Sequence, residues 1–248
     1  MVHLGPLPGS PGFDGDIDPV VAAALLDAHR LADAGFDAVL VENFGDVPFY
    51  ADDVPKVTVA AMTRAVSAVT EAVDLPVGVN VLRNDALAAL AIAAATGASF
   101  IRVNVLSGTM ATDQGTITGR AAEVARLRAS ICPDVEVLAD VFVKHAAPPP
   151  GLSIEQAARD LWERGGADGI VVSGAGTGHP VDDARLTAVR KAVPEARLYA
   201  GSGVDASTVA DILEVCDGAI VGTAIKEGGI TTAPVDPERA RALVEAAG

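Results

Sequence analysis

Eight times along 248 residues, a short run of β-branched and aliphatic residues gives way to a stretch with helical spacing. The strand-like runs cover 2–4, 37–43, 76–82, 100–105, 135–142, 169–172, 198–200 and 219–221. Helices are expected over 18–35, 57–73, 86–95, 119–129, 153–164, 183–192, 205–215 and 237–246. Runs this uniformly apolar belong to parallel strands buried on both faces. Local punctuation agrees. Asp18-Pro19 sets an N-capping residue before a proline at the first helical position, and Ser153 with Gln156 has the capping-box spacing. Eight strand–helix units joined by right-handed crossovers predict an α/β fold, a single (β/α)8 TIM barrel over residues 1–248. A doubly wound open sheet is the alternative, but the last two units favour closure.

Those two units carry Gly201-Ser202-Gly203-Val204 and Val221-Gly222-Thr223-Ala224, each directly after an apolar run and before a stretch able to open a helix. In a (β/α)8 barrel the loops after the seventh and eighth strands form the usual phosphate grip, because small residues leave backbone N–H groups exposed to an anion. Gly201, Ser202, Gly203, Gly222 and Thr223 are therefore the expected cradle, with Gly176 and Thr177 contributing from the sixth unit. The 174–178 segment matches a dinucleotide fingerprint only loosely and lacks its first-strand position, so dinucleotide binding is discounted.

Composition removes several classes of partner. The chain carries 33 acidic against 18 basic residues, a net charge of −15, and its only lysines are Lys56, Lys144, Lys191 and Lys226. Such a surface argues against nucleic acid and anionic membranes, which need cationic contacts. It is like that of salt-in halophile proteins. No apolar run approaches the ~20 residues of a membrane span. With no basic or apolar leader at Met1 and two unpatterned cysteines, Cys132 and Cys216, a cytoplasmic protein is expected. A homo-oligomer is also expected.

Polar residues recur where the barrel strands should end, on the face where such barrels do chemistry. Arg102 and Asn104 share a side of the fourth strand by alternation, and an interior arginine needs a carboxylate, for which Glu42 and Asp140 are the candidates. Glu42 or Asp140 would serve as general acid/base, while Arg102, Asn80 and Asn104 would orient substrate hydroxyls or a carbonyl. Lys144 would stabilise developing negative charge as a cation, in preference to forming an imine. His3 reads either as a satisfied barrel-floor histidine or, with Glu42 and Asp140, as part of a divalent-metal site; no tight ligand spacing supports the metal, and no cofactor is assigned. The 107–118 segment is expected to be a long polar loop, a candidate lid.

Taken in order, His3-Leu4-Gly5-Pro6-Leu7-Pro8-Gly9-Ser10-Pro11, 41–49, 78–85, 100–105, 112–115, 139–141, 143–145 and Gly201-Ser202-Gly203-Val204 resemble the BtpA/SgcQ family over nearly the whole chain. Ser173 departs from the threonine expected before its glycine, a conservative hydroxyl swap. The resemblance implies a TIM barrel of the ribulose-phosphate-binding type. One branch is named for photosystem I biogenesis in cyanobacteria, and another lies among genes associated with carbohydrate metabolism. The expected function is an enzyme on a small phosphorylated sugar or nucleoside-derived metabolite, of isomerase, epimerase or aldolase/lyase type. The alternative is a non-catalytic assembly or regulatory factor that keeps a ligand-binding barrel.

Overall fold

A computed structural model describes residues 1–174 and 182–248. The expected glycine contacts at Gly176 and Thr177 lie outside the described residues. Eight parallel strands form one curled sheet in the order β1 (Val2–His3), β2 (Val39–Glu42), β3 (Val77–Asn80), β4 (Phe100–Val103), β7 (Glu136–Val141), β9 (Gly169–Val172), β10 (Arg197–Ala200) and β11 (Gly218–Ala219). The register runs His3 beside Glu42 and Glu42 beside Asn80, so these three side chains leave adjacent strands at one level. A hydrogen bond of 2.9 Å from the Met1 nitrogen to the Val221 carbonyl spans the seam between the first and last strands.

Helices α1 (Asp18–Ala34), α2 (Lys56–Ala72), α3 (Ala86–Thr96), α4 (Ala121–Ile131), α5 (Ile154–Arg159), α6 (Asp183–Ala192), α7 (Val209–Leu213) and α8 (Pro237–Ala247) alternate with the barrel strands. Their apolar faces pack on the sheet in one aliphatic cluster that includes Leu31, Met62, Ile92, Ile170 and Leu198. This is the core that an aromatic-poor composition dictates. The Ser153 hydroxyl accepts from the Gln156 N–H at 3.2 Å, as its spacing predicts, and α5 then widens into a π turn over Asp160–Gly165. The first helix begins at Asp18 itself, with Ile17 rather than Asp18 at the cap position. Cys132 and Cys216 are buried free thiols. Among the described residues, no helix is long and apolar enough to cross a membrane.

One segment differs from expectation. Residues 107–118 are not an open polar loop: β5 (Thr109–Thr112) and β6 (Gly115–Thr118) form an antiparallel hairpin, and β8 (Ala146–Ala147) joins it as a third strand. The alternation Thr109-Met110-Ala111-Thr112 and Thr116-Ile117-Thr118 explains this, since it puts apolar residues on one face. Met110 and Ile117 pack with Val105 and Val143 in a small core of their own. The cap is therefore anchored to the loops after β4 and β7.

The loop after β11 is anchored by charge. Lys226, 1% exposed, donates from Nζ to Asp27 Oδ2 at 2.6 Å, and Asp27 Oδ1 accepts from the Val235 N–H at 2.7 Å. Removing one partner of a buried pair strands the other charge. Asp27→Ala is expected to cost about 3–5 kcal/mol of stability, measured by urea unfolding; a loss within a few tenths would show that the pair is not holding this loop.

Candidate active site

Strands β1, β2 and β4 bring His3, Glu42 and Arg102 to the C-terminal mouth. There a cavity of about 220 Å³ is lined by His3, Glu42, Arg102 and Lys144 on one side and by the 201–205 and 222–224 turns on the other. Four of the expected catalytic residues and all of the described glycine-turn residues thus meet in one place.

Arg102 and Asp140 are both buried and fully committed to each other. Arg102 Nε and Nη2 donate to Asp140 Oδ2 and Oδ1, each at 2.8 Å. The Ser173 hydroxyl donates to Asp140 Oδ1 at 2.8 Å and accepts from Arg102 Nη2 at 3.3 Å. Burial works against the guanidinium charge, but Asp140 overcomes it and holds Arg102 above the usual arginine range. Of the two candidate partners for Arg102, the pair is made with Asp140. Glu42 is left apart: it is 4% exposed, and among the described residues no donor reaches its carboxylate. Its nearest ionisable neighbour is His3 Nε2, 3.8 Å from Oε1.

His3 stands at the chemical mouth of the barrel, not on its floor. The Thr231 carbonyl lies 2.9 Å from Nδ1 and can only accept, so Nδ1 carries the hydrogen and Nε2 presents a lone pair towards Glu42. Burial, then repulsion from the Met1 amine and Lys226, pushes the imidazole from 6.5 down to about 3. Phe44 flanks the ring at a centroid separation of 4.8 Å. Lys144 is lowered mainly by burial, with Glu42 opposing the shift.

The two glycine turns abut these side chains. A Cβ on Gly201 would come within 2.6 Å of Ser173 Oγ and 3.2 Å of Arg102 Nη2; one on Gly222 would lie 3.1 Å from His3 Cε1. Glycine is required by close approach at the first and strongly favoured at the second. Among the described residues, the backbone N–H groups of Ser202, Gly203, Gly222 and Thr223 donate to nothing. Ser202 Oγ accepts from the Gly174 N–H at 2.8 Å, tying the sixth and seventh loops together. Asp205 also lines the cavity, and its Oδ1 accepts from the Ser207 N–H and hydroxyl at 2.8 and 2.6 Å.

Asn80 and Asn104 do not line this cavity; Asn104 lines a second, smaller pocket beside Asp140. Asn80 Nδ2 donates to the Arg102 carbonyl and to Asn104 Oδ1, each at 3.0 Å, so the two amides brace strands against each other. The other polar motif residues are likewise staples. Asn43 Oδ1 accepts from the Leu82 N–H at 2.7 Å; Asn84 exchanges two hydrogen bonds with the Val105 backbone; Asp85 caps α3 and accepts from the Val54 N–H at 2.8 Å. Sequence reading missed Thr231 and Arg83, which act on His3 and Lys144 through backbone atoms. No pattern in the chain pairs residues that far apart. Among the described residues, no three His, Cys, Asp or Glu side chains converge as metal ligands.

An eight-stranded parallel barrel with its polar residues, glycine turns and cavity at the strand C-termini is the architecture of a TIM barrel. The chain belongs to the BtpA family, whose profile matches residues 1–248. It is 51% identical over 249 residues to an uncharacterized protein of Thermococcus kodakarensis, covering 100% of this chain and 93% of that one. It is 44% identical over 246 residues to the photosystem I biogenesis protein BtpA of Synechocystis, covering 99% and 86%. SgcQ of Escherichia coli is 32% identical over 248 residues, covering 99% and 91%. Solved structures of similar fold include a thiamine phosphate pyrophosphorylase from Pyrococcus furiosus (TM-score 0.56, 15% identity, 93% of this chain and 90% of that one) and phosphoribosyl anthranilate isomerase from Thermus thermophilus (0.58, 13%, 90% and 92%). At that identity the likeness concerns the fold alone.

Because the folded chain keeps His3 neutral well below 6.5, the unfolded chain binds the extra proton between that value and about 3. The stability His3 contributes is full above 6.5 and is lost as pH falls through this window. Urea unfolding at pH 7.5 and 4.5 should therefore show a larger acid-side loss for the native protein than for His3→Gln; equal losses would contradict the burial of a neutral imidazole.

Proposed function

We propose that the mouth cavity binds a phosphorylated small molecule and that the protein is an enzyme of isomerase, epimerase or aldolase/lyase type acting on it. The observation that carries this reading is that Ser202, Gly203, Gly222 and Thr223, whose backbone N–H groups find no acceptor among the described residues, line the same cavity as Glu42 and Lys144. Backbone donors left without partners cost free energy unless an anion or water completes them, and a phosphate has the oxygens to do so. Gly176 and Thr177 belong to the same proposed grip from the sixth loop. Acidic surface charge and a small cavity favour a metabolite over a polyanion such as nucleic acid.

The chemistry follows from which groups are free. Both Asp140 oxygens are engaged by Arg102 and Ser173, and Asp140 does not line the mouth cavity. Glu42 is buried, lines the cavity and accepts no hydrogen bond from the described residues, which suits a general base. On a phosphorylated carbonyl compound, its carboxylate would take a proton from the carbon beside the carbonyl, and the electron pair would move to the carbonyl oxygen. The Lys144 ammonium in the same cavity would stabilise that oxyanion or protonate it. Return of the proton to the same or the neighbouring carbon gives epimerisation or isomerisation; the same enolate arises when a carbon–carbon bond is cleaved.

A panel of phosphate esters with their dephosphorylated counterparts tests the reading. A ligand that raises the melting temperature only when phosphorylated identifies the substrate class. Glu42→Gln should then lower turnover by about 10²–10⁴-fold while leaving that thermal shift in place. Binding by the native protein with no turnover of any panel member would instead favour a non-catalytic factor, the reading suggested by the printed name of the Synechocystis relative.

A further inference from the structure

Lys144 is mounted on an unusual piece of backbone. Strand β7 ends at Val141, and within four residues Phe142 (φ 52°) and His145 (φ 57°) both take the left-handed conformation. That region is costly for side chains larger than glycine and persists where surrounding contacts over-determine it. The contacts on either side of Lys144 are clear. Val143, 1% exposed, is locked into the small core of the cap with Met110 and Ile117, and Ala146 pairs with Thr112 of β5. Lys144, between them, is the residue turned to the barrel mouth.

One side chain reaches this turn from across the mouth. Arg83 is 5% exposed and donates from Nη2 to the Lys144 carbonyl at 2.6 Å. Its own position is set independently, because its N–H donates to the Tyr50 carbonyl at 3.0 Å and the next residue, Asn84, is double-bonded to the Val105 backbone by hydrogen bonds of 2.7 and 3.0 Å. Among the described residues, Arg83 has no carboxylate partner within ion-pair distance. The other buried arginine, Arg102, is fully paired with Asp140. A buried guanidinium with no ion pair and a single short bond to one carbonyl is hard to explain as a stabilising device, since burying an unpaired cation is unfavourable. Its contact is with the backbone that aims Lys144.

We propose that Arg83 is the positioning residue for Lys144: by holding the Lys144 carbonyl it fixes the 142–145 turn and keeps the ammonium aimed into the cavity rather than into solvent. This deepens, and rests on, the reading of Lys144 as a group that acts on the ligand. The charged and titratable groups that act on Lys144 from the packed elements are Glu42 on β2, Arg102 on β4, Asp140 on β7 and Arg83 itself, and Lys144 in turn acts on His3 of β1. Replacing Arg83 removes the anchor and one repelling cation together. Replacing it by lysine keeps a cation and removes only the forked donor, which separates positioning from charge.

The test follows acylation of Lys144 by acetic anhydride as a function of pH, read by peptide mass spectrometry, with exposed Lys56 and Lys191 as references in the same molecule. In the native protein, Lys144 should titrate below the references. In both Arg83→Met and Arg83→Lys its midpoint should move up towards them, lowering its relative rate near neutrality by about threefold or more. An unchanged Lys144 profile in a folded Arg83→Met protein would overturn the proposal. So would a native-like profile in Arg83→Lys, which would leave charge as the whole effect. If Arg83→Met does not fold, Arg83→Lys decides. Protection of Lys144 by inorganic phosphate is measured alongside. Its absence would count against the phosphate reading of the cavity while leaving the effect of Arg83 on the Lys144 midpoint to stand or fall alone.

Discussion

The Arg102–Asp140 pair, closed by Ser173 inside the barrel, is the constraint around which the mouth is organised. Two charges buried in an aliphatic interior are tolerable only when each satisfies the other, and here both oxygens and two guanidinium nitrogens are engaged. The pair consumes one carboxylate and one cation, and so decides which groups remain available. Glu42, with no donor among the described residues, and Lys144, lowered by burial, are groups at the cavity that this pair leaves uncommitted. Gly201 must lack a side chain because Val171 Cγ1 and Ser173 Oγ lie 2.5 and 2.6 Å from where a Cβ would sit, so the turn packs directly on the hydroxyl that closes the ion pair.

Around that centre, polar side chains at the strand ends mostly hold loops. Asn43, Asn84 and Asp85 bond to the backbone of neighbouring loops, and Asp46 accepts from the Leu7 N–H at 2.8 Å. The cap hairpin extends the same principle. Its small apolar core fixes Val143, and Lys144 follows from Val143 by chain connectivity.

The barrel was legible because its signals are local. Each strand is a short apolar run and each helix has its own spacing, and the two glycine turns stand directly after the last two runs. Strand-end position pointed to His3, Glu42, Arg102 and Lys144, which line the cavity, but equally to Asn80, Asn104 and Asp140, which do not. What stayed hidden depends on contacts between distant residues. Asn80 and Glu42 occupy equivalent strand-end positions, yet one braces Arg102 and Asn104 while the other lines the cavity. The hairpin at 109–118 was masked by its many hydroxyl residues, although Met110 and Ile117 carry the alternation. Arg83 acts through a carbonyl 61 positions away, which no sequence spacing encodes.

Diffraction from crystals soaked in tungstate, a heavy tetrahedral mimic of phosphate, tests the account most directly. The anion should sit on the N–H groups of Ser202, Gly203, Gly222 and Thr223, inside the cavity shared with Glu42 and Lys144. Tungstate bound elsewhere, with those four groups hydrogen-bonded only to water or to the protein, would contradict it.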